Sequence, residues 1–141
     1  MNNQARQQID VNSKDEHLIR LMIAWLDKSY MSARFLSHRI ENSSLYRSLM
    51  RITLLKRQAT QDLRQAIDTP FPLFMNPKPP QDDQDMTLMM NMVVSDKYLI
   101  DKGKTIVKNL ESNQLAHKVS YWIAALQMEI EATHLTLKRL R

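Results

Sequence analysis

Cysteine is missing from the 141-residue chain, glycine occurs once, and all five prolines lie between Pro70 and Pro80. Without cysteine there can be no disulfide, thiolate metal site or cysteine nucleophile, which fits a reducing compartment. No stretch approaches the uninterrupted apolar length of a membrane span, and the opening "MNNQARQQIDVNSKDE" has no apolar signal core. A soluble, cytoplasmic protein with no membrane association is therefore expected. Aromatic residues make up only 6% of the chain, and no basic motif interleaved with them accompanies the formal charge of +5. Nucleic-acid binding is left without support, although the charge would suit an acidic partner.

What is present reads as helix. With 43% apolar residues the chain holds one core's worth of sequence, so a single domain over 14–141 is expected after a flexible N-terminal segment of residues 1–13. Ser13 and Glu16 make a capping box ahead of a first helix running to about Asn42. "ENSSLY" breaks it, and Ser43 is placed to cap a second helix to about Ile67. The proline-rich "DTPFPLFMNPKPPQDDQ" forms a connection at about 68–83, with Phe71, Leu73 and Phe74 expected to pack on the helices. Asp82 or Asp83 can cap a third helix to about Leu110, and "ESNQ" turns into a fourth. The predicted fold class is all-α, a four-helix bundle of two antiparallel helical hairpins. A second helix of some 24 residues is about 36 Å long, and about 16 residues of extended chain reach roughly 50 Å. Both a parallel crossover and a plain up-down arrangement stay open.

Two hairpins joined by a long mid-chain connection resemble the ferritin-like superfamily, specifically its small stand-alone bacterial bundles of unknown function. The similarity rests on "LDKSYMSARFLSHRI", "KRQATQDLRQAI", "SDKYLIDKGKTIVKN" and "QMEIEATHLTLKRLR", in that order over roughly residues 15 to 141. The resemblance implies that an iron-binding member would carry inward carboxylates on all four helices and Glu-x-x-His on the second and fourth. Glu131 and His134 have that spacing. "LAHKVSYWI" is similar to the phosphotransfer-histidine bundles, but without their following Lys-Gly or a further helix.

Helical wheels at about 100° per residue test the ligand set. The fourth helix has a core stripe of Leu115, Val119, Ile123, Leu126, Ile130 and Leu137, with His134 at its margin and Glu131 toward solvent. The first buries Leu18, Met22, Leu26, Ala33, Leu36 and Ile40, has Ser29, Tyr30 and Ser37 as inward polar groups, and carries Asp27 on the opposite side. The second packs Leu45, Leu49, Ile52, Ala59, Leu63 and Ile67, with Asp62 on a flank. No second Glu-x-x-His exists, and His17, His38 and His117 point outward. A complete di-iron site is not expected, and no cofactor is.

Two inward charges stand out. Lys56 falls in the middle of the second helix's core stripe. Asp96 does the same among Met89, Met92, Leu99, Ile100, Val107 and Leu110 of the third. A buried ammonium is costly unless paired, so a Lys56–Asp96 ion pair is expected, with Ser29 or Tyr30 as hydrogen-bonding neighbour, where a ferritin-like relative would hold metal. The competing expectation has Lys56 run its stem out to solvent. The methionines of "DMTLMMNMVV" divide similarly. Met89 and Met92 face the core, while Met86, Met90, Val93 and Val94 make a second strip. Tyr121, Ala124, Ala125, Met128, Ala132 and Leu135 do so on the fourth helix. Apolar faces beyond what one bundle needs imply cover by the connection or another chain. The chain is thus expected to be non-enzymatic and to act through self-association, as a homodimer or higher homo-oligomer, or through protein partners. Its interface would use Met86, Met90, Val94, Tyr121, Ala125, Met128 and Leu135. The alternative is a metal-binding or iron-handling ferritin-like protein using Asp96, Glu131 and His134.

Overall fold

The computed structural model describes residues 11–68 and 84–140, which form α1 (Ser13–Ser37), α2 (Ser43–Ile67), α3 (Asp85–Asn109) and α4 (Asn113–Arg139). No strand occurs among the described residues, and no helix is long and apolar enough to cross a membrane. Phe71, Leu73, Phe74 and the expected caps Asp82 and Asp83 lie outside the described residues, as do residues 1–10. Val11, just ahead of α1, packs against the core.

Helix ends differ from expectation where an equally good cap stands one residue earlier. Asn12 caps α1, its side chain accepting from the Asp15 amide at 2.8 Å, and Glu16 turns to Arg20 at 3.3 Å instead of reaching back. Asn42 caps α2 by accepting from Leu45 N at 3.0 Å, in place of Ser43, and Ser112 caps α4 at 3.2 Å. Asn is as good a cap as Ser, so the earlier residue takes the role. α1 stops at Ser37, short of Asn42, because the His38 and Arg39 amides bond to carbonyls three residues back and tighten the last turn. Asp68 closes α2 in the left-handed region at φ 55°.

α1 packs on α2, α3 on α4, and α2 on α4, while α1 and α3 make the thinnest of the four seams. Two carboxylates clasp the ends. Asp15, at the start of α1, accepts from the amides of Glu111 and Ser112 at 3.0 and 2.9 Å. Asp85, at the start of α3, accepts from Glu41 and Asn42 at 2.8 and 2.9 Å. The start of α1 therefore lies by the end of α3, and the start of α3 by the end of α1. Since each hairpin is antiparallel, α2 and α3 run in the same direction, and α2 ends at the opposite end of the bundle from where α3 begins. Between the two topologies left open by the sequence, the described helices have the crossed one.

The clasps also reveal a register. Asp85 stands 70 residues after Asp15, and Glu111 and Ser112 stand 70 after Glu41 and Asn42. The same shift pairs core residues Leu45 with Leu115, Leu49 with Val119, Met22 with Met92 and Ile23 with Val93. The bundle is two similar hairpins docked about an approximate two-fold.

The core stripes of α2 and α4 are buried at every expected position. α1 buries a wider arc than the expected stripe: Ile19 and Ile23 join the core, and Leu18 is only partly buried. Asp27, expected on the solvent side, is buried at the edge of this arc and pairs with Arg64 of α2. On α3, Leu88, Val93, Gly103 and Ile106 are buried, while Val107 and Leu110 are half-buried.

Candidate functional site

The centre of the bundle holds charge. Lys56, on the inward face of α2, is 1% exposed, and its Nζ donates to Asp96 Oδ2 of α3 at 2.8 Å across the diagonal. Asp96 is equally buried, and its Oδ1 accepts from Ser29 Oγ of α1 at 2.8 Å. Three helices thus converge on one carboxylate, whose two oxygens are engaged by an ammonium and a hydroxyl. Lys56 sits mid-stripe among Ile52, Ala59 and Leu63, so its stem replaces a core side chain and its head has no route along the helix to water. Tyr30 is not part of this cluster. It is half-buried with the Arg34 guanidinium 5.9 Å from its ring centre, and Ser37 Oγ donates to the Arg34 carbonyl.

Such an arrangement holds three helices together at one carboxylate. A buried ion pair gains its Coulomb energy against a desolvation cost of several kcal/mol per ion, so its net contribution is small while the cost of removing one partner is large.

The residues of the metal alternative go to separate partners. Asp96 is engaged as above, exposed Glu131 accepts from Gln127 Nε2 at 3.1 Å, and His134 Nδ1 lies 2.9 Å from Lys97 Nζ. Among the described residues, no group of three or more His, Cys, Asp or Glu side chains is disposed to hold a metal ion. Asp62, on the flank of α2, accepts from Lys118 Nζ at 3.0 Å and from Trp122 Nε1 at 2.7 Å, tying α2 to α4. His17, His38 and His117 are exposed.

The surface stripes divide. On α4, Tyr121, Met128 and Leu135 are 65, 72 and 53% exposed, with Ala125 half-buried and Ala124 and Ala132 exposed beside them. On α3, Val94 is the one member of the expected strip that stands out, at 56%, and Tyr98, outside that strip, is 69% exposed. Met86 and Met90 are half-buried against the core and Val93 is fully buried, so the expected α3 strip mostly closes onto its own bundle. α3 thus buries more than one stripe, with Leu88, Met89, Met92 and Val93 all in the core. A patch missed from the sequence is Tyr46, Met50 and Leu54 on α2, all exposed. Their uniform spacing of four was its available signal.

A scan against models of known protein families, a search of curated proteins and a search of solved structures give no match to this chain.

Proposed function

We propose that this chain is a non-enzymatic bundle of the ferritin-like type, lacking a complete di-iron site and acting in the cytoplasm through self-association. The carrying observation is the exposed face of α4, where Tyr121, Ala125, Met128, Ala132 and Leu135 follow spacings of four, three, four and three. That is the heptad seam of paired helices, with small residues alternating with large ones so that two backbones can approach. The face is also self-complementary. Tyr121 and Leu135 are each seven residues from Met128, so an antiparallel second copy with Met128 at the two-fold would set Tyr121 of one chain against Leu135 of the other. The shared direction of α2 and α3 supports the ferritin-like half of the proposal, and the Lys56–Asp96 pair puts a fixed cation where such a relative would hold metal.

Light scattering across a dilution series tests it. The chain should exceed its monomer mass of 16.6 kDa. Met128→Glu should return it to that mass with helical circular dichroism intact, because a charge in an interface core removes association while costing an exposed helix face little. A monomer at every concentration overturns the proposal.

A further inference from the structure

The thin seam between α1 and α3 opens into a groove of about 630 Å³, within the range of roughly 300–1,000 Å³ typical of ligand sites. Its cause lies in the residues that face it. Ser29 and Ser32 on α1 and Ser95 on α3 stand where long apolar side chains would otherwise close the seam, so the helices meet without filling the space.

The groove is polarised along its length. Leu36 and Leu88 line one end, and Trp25 and Tyr98 line the other. From Trp25 to Leu36 is about 16 Å along α1 at helical rise. Two ammonium groups, Lys28 and Lys102, border the aromatic end, and Lys102 Nζ is held 4.9 Å from the Trp25 ring centre and 5.9 Å from that of Tyr98. Among the described residues, Asp96 is the only acidic side chain lining the groove, and it is already answered by Lys56 at 2.8 Å from behind. The charge left facing the groove is positive. Midway, Ser29 Oγ spends its proton on Asp96 and keeps its lone pairs for a donor arriving from the groove.

We propose that this groove binds a small amphipathic organic anion. Its carboxylate, sulfonate or phosphate meets Lys28 and Lys102, its flat apolar part lies on Trp25 and Tyr98, and an N–H or O–H in its middle donates to Ser29. Ionic attraction selects the sign, the aromatic walls supply contact area, and the serine sets the depth.

The probe is 8-anilinonaphthalene-1-sulfonate, which carries one anion, two aromatic units and one N–H. Its control is N-phenyl-1-naphthylamine, the same skeleton without the sulfonate. Trp122→Phe leaves Trp25 as the single tryptophan of the full chain. One sulfonate probe per chain should then quench Trp25 and bind at least roughly tenfold more tightly than the neutral control, the effect of one charge-assisted contact. Lys28→Met and Lys102→Met should each weaken the sulfonate several-fold and leave the control unchanged. Ser32→Leu, which fills the seam, should abolish binding while helicity and a cooperative melt persist. Equal affinity for the two probes, or sulfonate binding indifferent to both lysine variants, overturns the proposal. Loss of binding in Met128→Glu with the lysine variants unaffected also overturns it, because the probe would then sit on α4. None of these outcomes depends on whether the chain self-associates.

Discussion

Placed in the 70-residue register, the two hairpins agree at most positions that α1 and α3 bury and at both turns, and disagree at the centre of the bundle. Leu18 answers Leu88, Met22 answers Met92, Leu36 answers Ile106, and both hairpins receive a carboxylate clasp at their turns. At the centre the correspondence fails. Leu26 of the first hairpin corresponds to Asp96 of the second, and Lys56 of the first to Leu126 of the second. Each hairpin therefore brings one charge and one leucine to the middle layer. The first cannot satisfy its ammonium against another copy of itself, nor the second its carboxylate. Apolar matching gives two hairpins that can dock; the mismatch makes them dock with each other, which is the specificity use of a buried polar pair.

Breaking the mismatch should have the largest effect on stability. Asp96→Asn leaves the Lys56 ammonium buried without a counter-charge and should destabilise the bundle by about 3–5 kcal/mol in chemical denaturation. Lys56→Met with Asp96→Leu, which restores an apolar middle layer, should recover most of that loss. A double-mutant cycle with additive single costs would show that the pair is not coupled. If the pair also enforces hairpin choice, the apolar double variant should give more concentration-dependent, mixed oligomers than the parent in light scattering.

Much of this layer is legible in the sequence. The buried arcs of α2 and α4 contain every position of the expected stripes, so those stripes and the mid-stripe position of Lys56 follow from helical period alone. α1 is different: its buried arc is wider than one stripe, and a single-stripe rule therefore misplaced Asp27 and omitted Ile19 and Ile23. The clasps were not legible, since Asp15 and Ser112 are 97 residues apart and nothing local announces that a first-turn carboxylate will cap a distant turn. The direction of α3 was hidden for the same reason. The groove was hidden too, because seam serines look like ordinary surface serines until the neighbouring helix is in place.

The two clasps offer a milder test of the same symmetry. Asp15 is 1% exposed, whereas Asp85 is only half-buried and its bonds lie at the surface. Asp15→Ala strands two amides where water reaches them poorly and should cost about 2–3 kcal/mol. Asp85→Ala lets water replace the carboxylate and should cost about 1 kcal/mol. Equal losses in parallel denaturation curves would mean that burial does not separate the two ends.

The smallest effect is expected where the register pairs Ala33 with Gly103. A Cβ built on Gly103 would lie 2.2 Å from Ile123 Cδ1 and 2.8 Å from its Cγ1, so α3 and α4 approach too closely for the methyl that Ala33 carries in the equivalent place. Gly103→Ala should lose about 1–3 kcal/mol to overpacking and regain about 1 from helix propensity, leaving a net cost of roughly 1. Ile123→Val removes the Cδ1 carbon that makes the shortest contact. Alone it should cost about 0.5–1.5 kcal/mol by leaving a small cavity. In the Gly103→Ala background it should be neutral or stabilising, because the added methyl occupies the space given up. A thermal-melt cycle in which Ile123→Val costs the same in both backgrounds would show that Ile123 does not limit the approach of the two helices, and that the glycine is there for some other reason.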